Sequence, residues 1–117
     1  MNPSLLEGLE IYLQSLGHEF IGAPNGTEGI KHCDASIDLV ISDRRMPGVS
    51  GEEVVHRIKQ KYPAIKAVLL AAGGLTASAR QIAIAAGADE IWFKPLGIEE
   101  IRKGLERLSP EGGRPPS

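Results

Sequence analysis

Cysteine is nearly absent from this chain of 117 residues: Cys33 stands alone. That excludes an intrachain disulfide and a thiolate metal cluster, and leaves Cys33 as a small, buried or half-buried hydrophobe. Neither sign of charge dominates, with 13 basic and 15 acidic residues and a net charge of −2. The basic residues are scattered, with no run longer than Arg44-Arg45, so there is no footprint for direct nucleic-acid binding. No apolar run approaches the roughly 20 residues of a membrane span. Met1-Asn2-Pro3-Ser4 carries none of the charge-then-apolar pattern of a secretory signal. These absences point to a soluble cytoplasmic protein. His18, His32 and His56 have no metal-ligand spacing. Gly73-Gly74 is not followed by the Gly-Lys-Ser/Thr of a phosphate loop. The last absence concerns order: the chain opens on a helical pattern with no strand before it.

What is present is a regular alternation. Leu5, Leu6, Leu9, Tyr12, Leu13 and Leu16 form one helical stripe, begun by Asn2 or Ser4 with Pro3 in the first turn and ended at Gly17. His18 to Ala23 reads as a short strand and Pro24-Asn25-Gly26 as a turn. Thr27 to about Ala35 reads as a short helix. Ile37 to Ser42 is an apolar strand of the kind covered on both faces, and Gly51 to Lys61 an amphipathic helix stopped by Pro63. Lys66 to Ala71 is a second buried strand. Thr76 or Ser78 begins an alanine-rich helix that ends at Gly87. Ile91 to Phe93 is the last strand and Ile98 to Leu108 the last helix. The order is a helix followed by four strand–helix units, which predicts a parallel sheet with helices on both faces. Residues 1–108 make one domain, and 109–117, rich in proline and glycine, read as a disordered tail.

Two residues carry the chemistry. Leu39-Val40-Ile41-Ser42 runs into Asp43, and Ile91-Trp92-Phe93 runs into Lys94-Pro95. In an open parallel sheet the carboxyl ends of the strands share one crevice, where ligands bind. A carboxylate there can act as a nucleophile that accepts a phosphoryl group, and an ammonium can serve as a point charge for phosphate oxygens. The bland alternatives are a turn acid at Asp43 and a solvated lysine at Lys94. Asp34 and Asp38 read as cap and turn acids. Arg44 and Arg45 read as solvent-facing; the sharper alternative turns one of them towards Asp43.

The stretch Asp38 to Gly51, with Asp43-Arg44-Arg45-Met46-Pro47-Gly48, and the later Ala86-Gly87-Ala88-Asp89-Glu90 leading to Lys94-Pro95, resemble the receiver domain of bacterial two-component response regulators. The resemblance covers about Asn2 to Leu108. It implies a three-layer, flavodoxin-like receiver fold (CheY-like), and no enzyme. It implies a phosphorelay role in which Asp43 accepts a phosphoryl group from a histidine kinase, Lys94 pairs with the phosphate, and Mg²⁺ assists. The expected partners are a histidine kinase or another signalling protein, and the family signals through its helix 4–strand 5–helix 5 face.

Departures from the family pattern set further expectations. The first strand, which ends in two Mg²⁺-binding acids, has no counterpart here, and Asn2 to Leu6 resembles the residues just after that acid pair. Metal donors reduce to Asp43 and the Arg45 backbone carbonyl, a weak Mg²⁺ site at best. Ala71 stands where the family has Ser or Thr, and Ile91 where it has the switch aromatic. A receiver cut short would account for the missing strand but not for Ala71 or Ile91. The sheet gap must be closed either by strand 2 pairing with strand 3 or by a second chain, so a homodimer is expected. Two readings remain: a phosphoryl-accepting receiver with a defective metal site, and a non-phosphorylated pseudo-receiver that serves as a protein-interaction module.

Overall fold

A computed structural model describes residues 3–46 and 48–109. Among them are α1 (Pro3–Ser15), α2 (Gly26–His32), β1 (Leu39–Asp43), α3 (Gly51–Lys61), β2 (Lys66–Ala71), α4 (Ala77–Ala86), β3 (Glu90–Phe93) and α5 (Ile98–Leu108). Oxygen-bearing side chains start three of the helices. Asn25 accepts from the Glu28 amide at 2.9 Å, Ser50 from Glu53 at 3.2 Å and Thr76 from Ala79 at 3.1 Å, each satisfying an amide that the first helical turn leaves open. At the other end of α4, Gly87 takes φ 114°, a left-handed cap that glycine adopts without a Cβ penalty.

The three strands are parallel in the order β1-β2-β3. Leu39 pairs with Lys66 through to Asp43 with Leu70, and Val68 with Glu90 through to Ala71 with Phe93. Side chains alternate across a strand, so β2 feeds two cores. Val68 and Leu70 meet Leu9 and Leu13 of α1, Trp92 of β3 and Ile101 of α5. Ala67 and Leu69 face the other way, onto Val55 of α3 and Ala83 of α4. This is the three-layer arrangement expected from the alternation of elements.

Three expectations need correction. His18 to Ala23 forms no strand: an extended segment needs a neighbour to pair its N–H and C=O groups, and β1, the only nearby edge strand, pairs with β2 alone among the described residues. The segment is held instead by its side chains, with Phe20 packed against the α1/α5-side core and Ile21 exposed. Four strand–helix units therefore become three, and direct pairing of strand 2 with strand 3 does not occur. The second helix ends at His32, with Cys33 as its cap. The next strand starts at Leu39 and not at Ile37, because Asp34 accepts from the Ser36 amide at 2.8 Å and its carbonyl from Ile37 at 3.2 Å, a turn that occupies the strand's expected first residues. Of the expected tail, residues 110–117 lie outside the described residues, as does Asn2, one of the two proposed starts of α1.

Candidate functional site

Asp43 is the last residue of β1 and Lys94 the first beyond β3, with β2 between them. The ladder continues one step past both strand ends. The Arg44 amide donates to the Leu70 carbonyl and the Lys94 amide to the Ala71 carbonyl, each at 2.9 Å. That backbone brace sets the two side chains at the same level, and Lys94 Nζ reaches across the end of β2 to lie 2.6 Å from Asp43 Oδ1. The Asp43 side chain is 4% exposed and that of Lys94 39%: a buried carboxylate with a cation reaching in from solvent. Burial pushes the Asp43 carboxyl up, the hydrogen bond and charge of Lys94 are among the causes that act the other way, and the net result is a pKa below the ordinary value.

The surroundings fix Asp43 further. Ser42 Oγ donates to the Asp43 carbonyl at 3.0 Å. The start of α3 approaches so closely that a Cβ on Gly51 would collide with that carbonyl oxygen and stand 2.8 Å from Arg44 Cα, so glycine is required there. The Gly51 amide donates to the Arg44 carbonyl at 3.1 Å.

Arg44 corrects both sequence-based expectations for it. Its side chain is 18% exposed, so it does not face solvent, and its Nε lies 2.9 Å from Glu52 Oε2, so its ion pair is with that acid and not with Asp43. Arg45 is exposed. Both line a cavity of about 380 Å³ at the carboxyl end of the sheet, together with Lys94, Ala71 and the loop through Gly73 and Gly74. Ala71 is 4% exposed at the end of β2 and supplies no hydroxyl. Ile91 packs against the α3/α4-side core, whereas Trp92 points to the opposite core, and Phe93 is exposed with the Arg80 guanidinium 5.7 Å from its ring centre.

Mg²⁺ asks for near-octahedral hard oxygen donors. No three His, Cys, Asp or Glu residues gather into a metal-binding group among the described residues, and one oxygen of Asp43 already faces an ammonium.

The anchoring contacts of several residues were not picked out from the sequence. Glu52 is the partner of Arg44; its signal was an acid in the first turn of α3, where the helix dipole favours it. Asp89 Oδ2 accepts from the Ala67 amide and pairs with Lys59 Nζ, both at 2.8 Å. Glu90 accepts from Trp92 Nε1 at 2.7 Å and from Arg107 at 2.8 and 2.9 Å, a forked contact that ties the end of α5 to β3.

The response regulator receiver domain family matches residues 2–106. The virulence sensor protein BvgS of Bordetella pertussis is 35% identical over 103 residues, which is 80% of this chain and 8% of that protein. The transcriptional regulatory protein ResD of Bacillus subtilis is 35% identical over 94 residues, 80% of this chain and 38% of ResD. The chain thus spans well under half of either relative. The chemotaxis protein CheY4 of Vibrio cholerae superposes with a TM-score of 0.84 at 28% identity, covering 92% of both chains. On the family match, the two strand-end residues and the shared architecture, this chain belongs to the response regulator receiver domain family.

Proposed function

We propose that this chain accepts a phosphoryl group on Asp43 within two-component signalling. The observation that carries the reading is the buried Asp43 carboxylate 2.6 Å from Lys94 at the carboxyl end of the sheet. A carboxylate held ionised is ready as a nucleophile. On attack, a lone pair of an Asp43 carboxylate oxygen forms the new P–O bond. The donor's P–N bond breaks, and its electron pair stays on the departing histidine nitrogen. Lys94 then has a phosphoryl oxygen to pair with in place of the carboxylate. The partner in this reading is a histidine kinase or another signalling protein. The chain would work in the cytoplasm, without contacting nucleic acid itself and as a homodimer.

Two features favour a second reading, a pseudo-receiver that works by protein contact alone. Among the described residues no three His, Cys, Asp or Glu gather to hold Mg²⁺, and the wall beside Asp43 is Ala71, with no hydroxyl to meet a phosphoryl oxygen. Incubation with a small phosphodonor, with and without Mg²⁺, followed by intact-mass measurement, separates the two. Acceptance at Asp43 gives one added phosphoryl group that Asp43→Asn abolishes and that depends weakly on Mg²⁺. No added mass under either condition supports the interaction module, and addition that persists in Asp43→Asn overturns the assignment of the acceptor.

A further inference from the structure

β1 carries apolar side chains on both faces, as a covered inner strand does, yet it lies at an edge. β2, paired on both sides, is buried from Ala67 to Ala71, whereas Leu39, Val40 and Ile41 of β1 are only half-buried. Leu39 and Ile41 turn to the α1/α5-side core and Val40 to the opposite face. The backbone of β1 is divided in the same way. The Asp38 carbonyl accepts from the Lys66 amide at 3.0 Å, and the Arg44 amide donates to the Leu70 carbonyl at 2.9 Å, so the even-numbered residues address β2. Successive residues of a strand present their backbone groups to alternate sides. The N–H and C=O of Leu39 and Ile41 therefore point away from β2, where no strand meets them among the described residues. Half-buried backbone groups of this kind call for a partner.

What surrounds that edge limits what can fill it. α1 lies on the face of Val68 and Leu70. α2 lies on the other face, where Ile30, with Cys33 just beyond the helix, packs near Val40 and Val54 and Ile58 of α3. Residues 16–25 pass from one face to the other around β1, without helix or strand. Phe20 fastens this connector to the core that Leu39 and Ile41 also join. The open edge thus runs between two helices and behind a connector. A folded partner offering its own sheet edge would have to displace them, whereas a single extended segment enters along the strand.

We infer that the free edge of β1 takes up a further strand from another protein: an extended segment of about five residues, the length of β1, uncharged and apolar on both sides, lying between β1 and the connector. Bonds to the Leu39 and Ile41 backbone hold it in place, and its side chains meet the α1 layer on one face and the α2/α3 layer on the other. Strand addition to an open edge works in this way, with main-chain bonds giving affinity and side-chain contacts giving specificity. The inference goes beyond the phosphoryl-acceptor reading and uses neither the Asp43 side chain nor Lys94.

The test uses the full chain, titrated with a peptide of the β2 sequence, residues 66–71, flanked by lysines for solubility. This is the sequence β1 already accepts on its other side. Amide hydrogen exchange is followed by NMR. Saturable binding is expected, with exchange at the Leu39 and Ile41 amides slowed about tenfold or more, and exchange at Val40 and Ser42, which face β2, left nearly as it was. The same peptide N-methylated at all its amides keeps its side chains but cannot donate, and should not bind. Leu39→Pro removes one edge donor at the first residue of the strand, where proline is tolerated, and should weaken the peptide about tenfold. No saturable binding, slowing spread evenly over Val40 and Ser42, equal binding of the methylated peptide, or undiminished binding to a folded Leu39→Pro chain would each overturn the inference. So would Leu39 and Ile41 amides that are protected in the free chain and lose that protection on dilution, which would assign the edge to a second copy. If Leu39→Pro does not fold, the methylated peptide decides. Failure of the Asp43 acceptor assignment by mass measurement would leave the inference standing.

Discussion

Burial alone would raise the pKa of Asp43, yet its carboxyl lies below the ordinary value, with the hydrogen bond and the charge of Lys94 among the causes. The linkage follows from that direction. A carboxyl with a depressed folded-state pKa contributes stability that is fully present above the unfolded carboxylate pKa of about 3.9, and loses it as pH falls through the depressed value. Lys94→Ala should therefore raise the Asp43 pKa, because burial is left with less to oppose it. Carboxyl-carbon NMR titration of wild type and variant measures this directly, and an unmoved titration would show that Lys94 does not set the charge of Asp43. The same pair explains why Lys94→Arg is not conservative here: the compact ammonium fits a single oxygen at 2.6 Å, while a planar fork asks for two.

Glycine sorts the helices by what they lie against. In α5, a Cβ on Gly104 would strike the Trp92 indole, within 3 Å of three ring atoms, so the helix rests flat on the only tryptophan of the chain. In α1, a Cβ on Gly8 would meet nothing within 4 Å. Gly104→Ala should destabilise by about 1–3 kcal/mol through overpacking, and Gly8→Ala should stabilise by about 0.5–1 kcal/mol through helix propensity. Denaturant midpoints at constant slope measure both; equal effects of the two changes would contradict the packing of Trp92 on α5. This contrast also shows where the sequence was readable. Gly51–Lys61, Lys66–Ala71 and Ile98–Leu108 match the structure at both ends, because periodicity and local caps define them. Asp43 and Lys94 were legible because each follows an apolar strand. The pairing of Arg44 with Glu52 was not, since it depends on how the intervening loop folds back onto α3. His18 to Ala23 misled for a similar reason: its residues have strand character, but a strand exists only with a neighbour.

At the scale of the molecule, β1 is an edge strand among the described residues, and unpaired edges invite association. Apolar side chains are also exposed on α4, β3 and α5, with Ile82 56%, Ile84 59%, Phe93 38% and Ile98 62% exposed. A two-fold pairing covers such a surface on both copies at once, so the chain should run as a dimer in size exclusion coupled to light scattering. A monomer over a wide concentration range would rule that out.

The attachment of α1 carries a consequence for motion. It is seated on the sheet through the side chains of Leu9 and Leu13, with Leu5 and Tyr12 partly buried against the same core, and residues 16–25, next in the chain, contain no helix or strand. The two buried leucines together contribute about 3–6 kcal/mol to the seating, at or below the lower end of the roughly 5–15 kcal/mol of a typical whole domain. The helix can then lift away as one cooperative unit while β1, β2 and β3 stay paired, a sub-global opening below the cost of unfolding. Amide protons of α1 should exchange with deuterium together, at one common opening energy, well before those of β2. Leu13→Ala should hasten exchange across all of α1 and leave the residual protection of β2 nearly as it was.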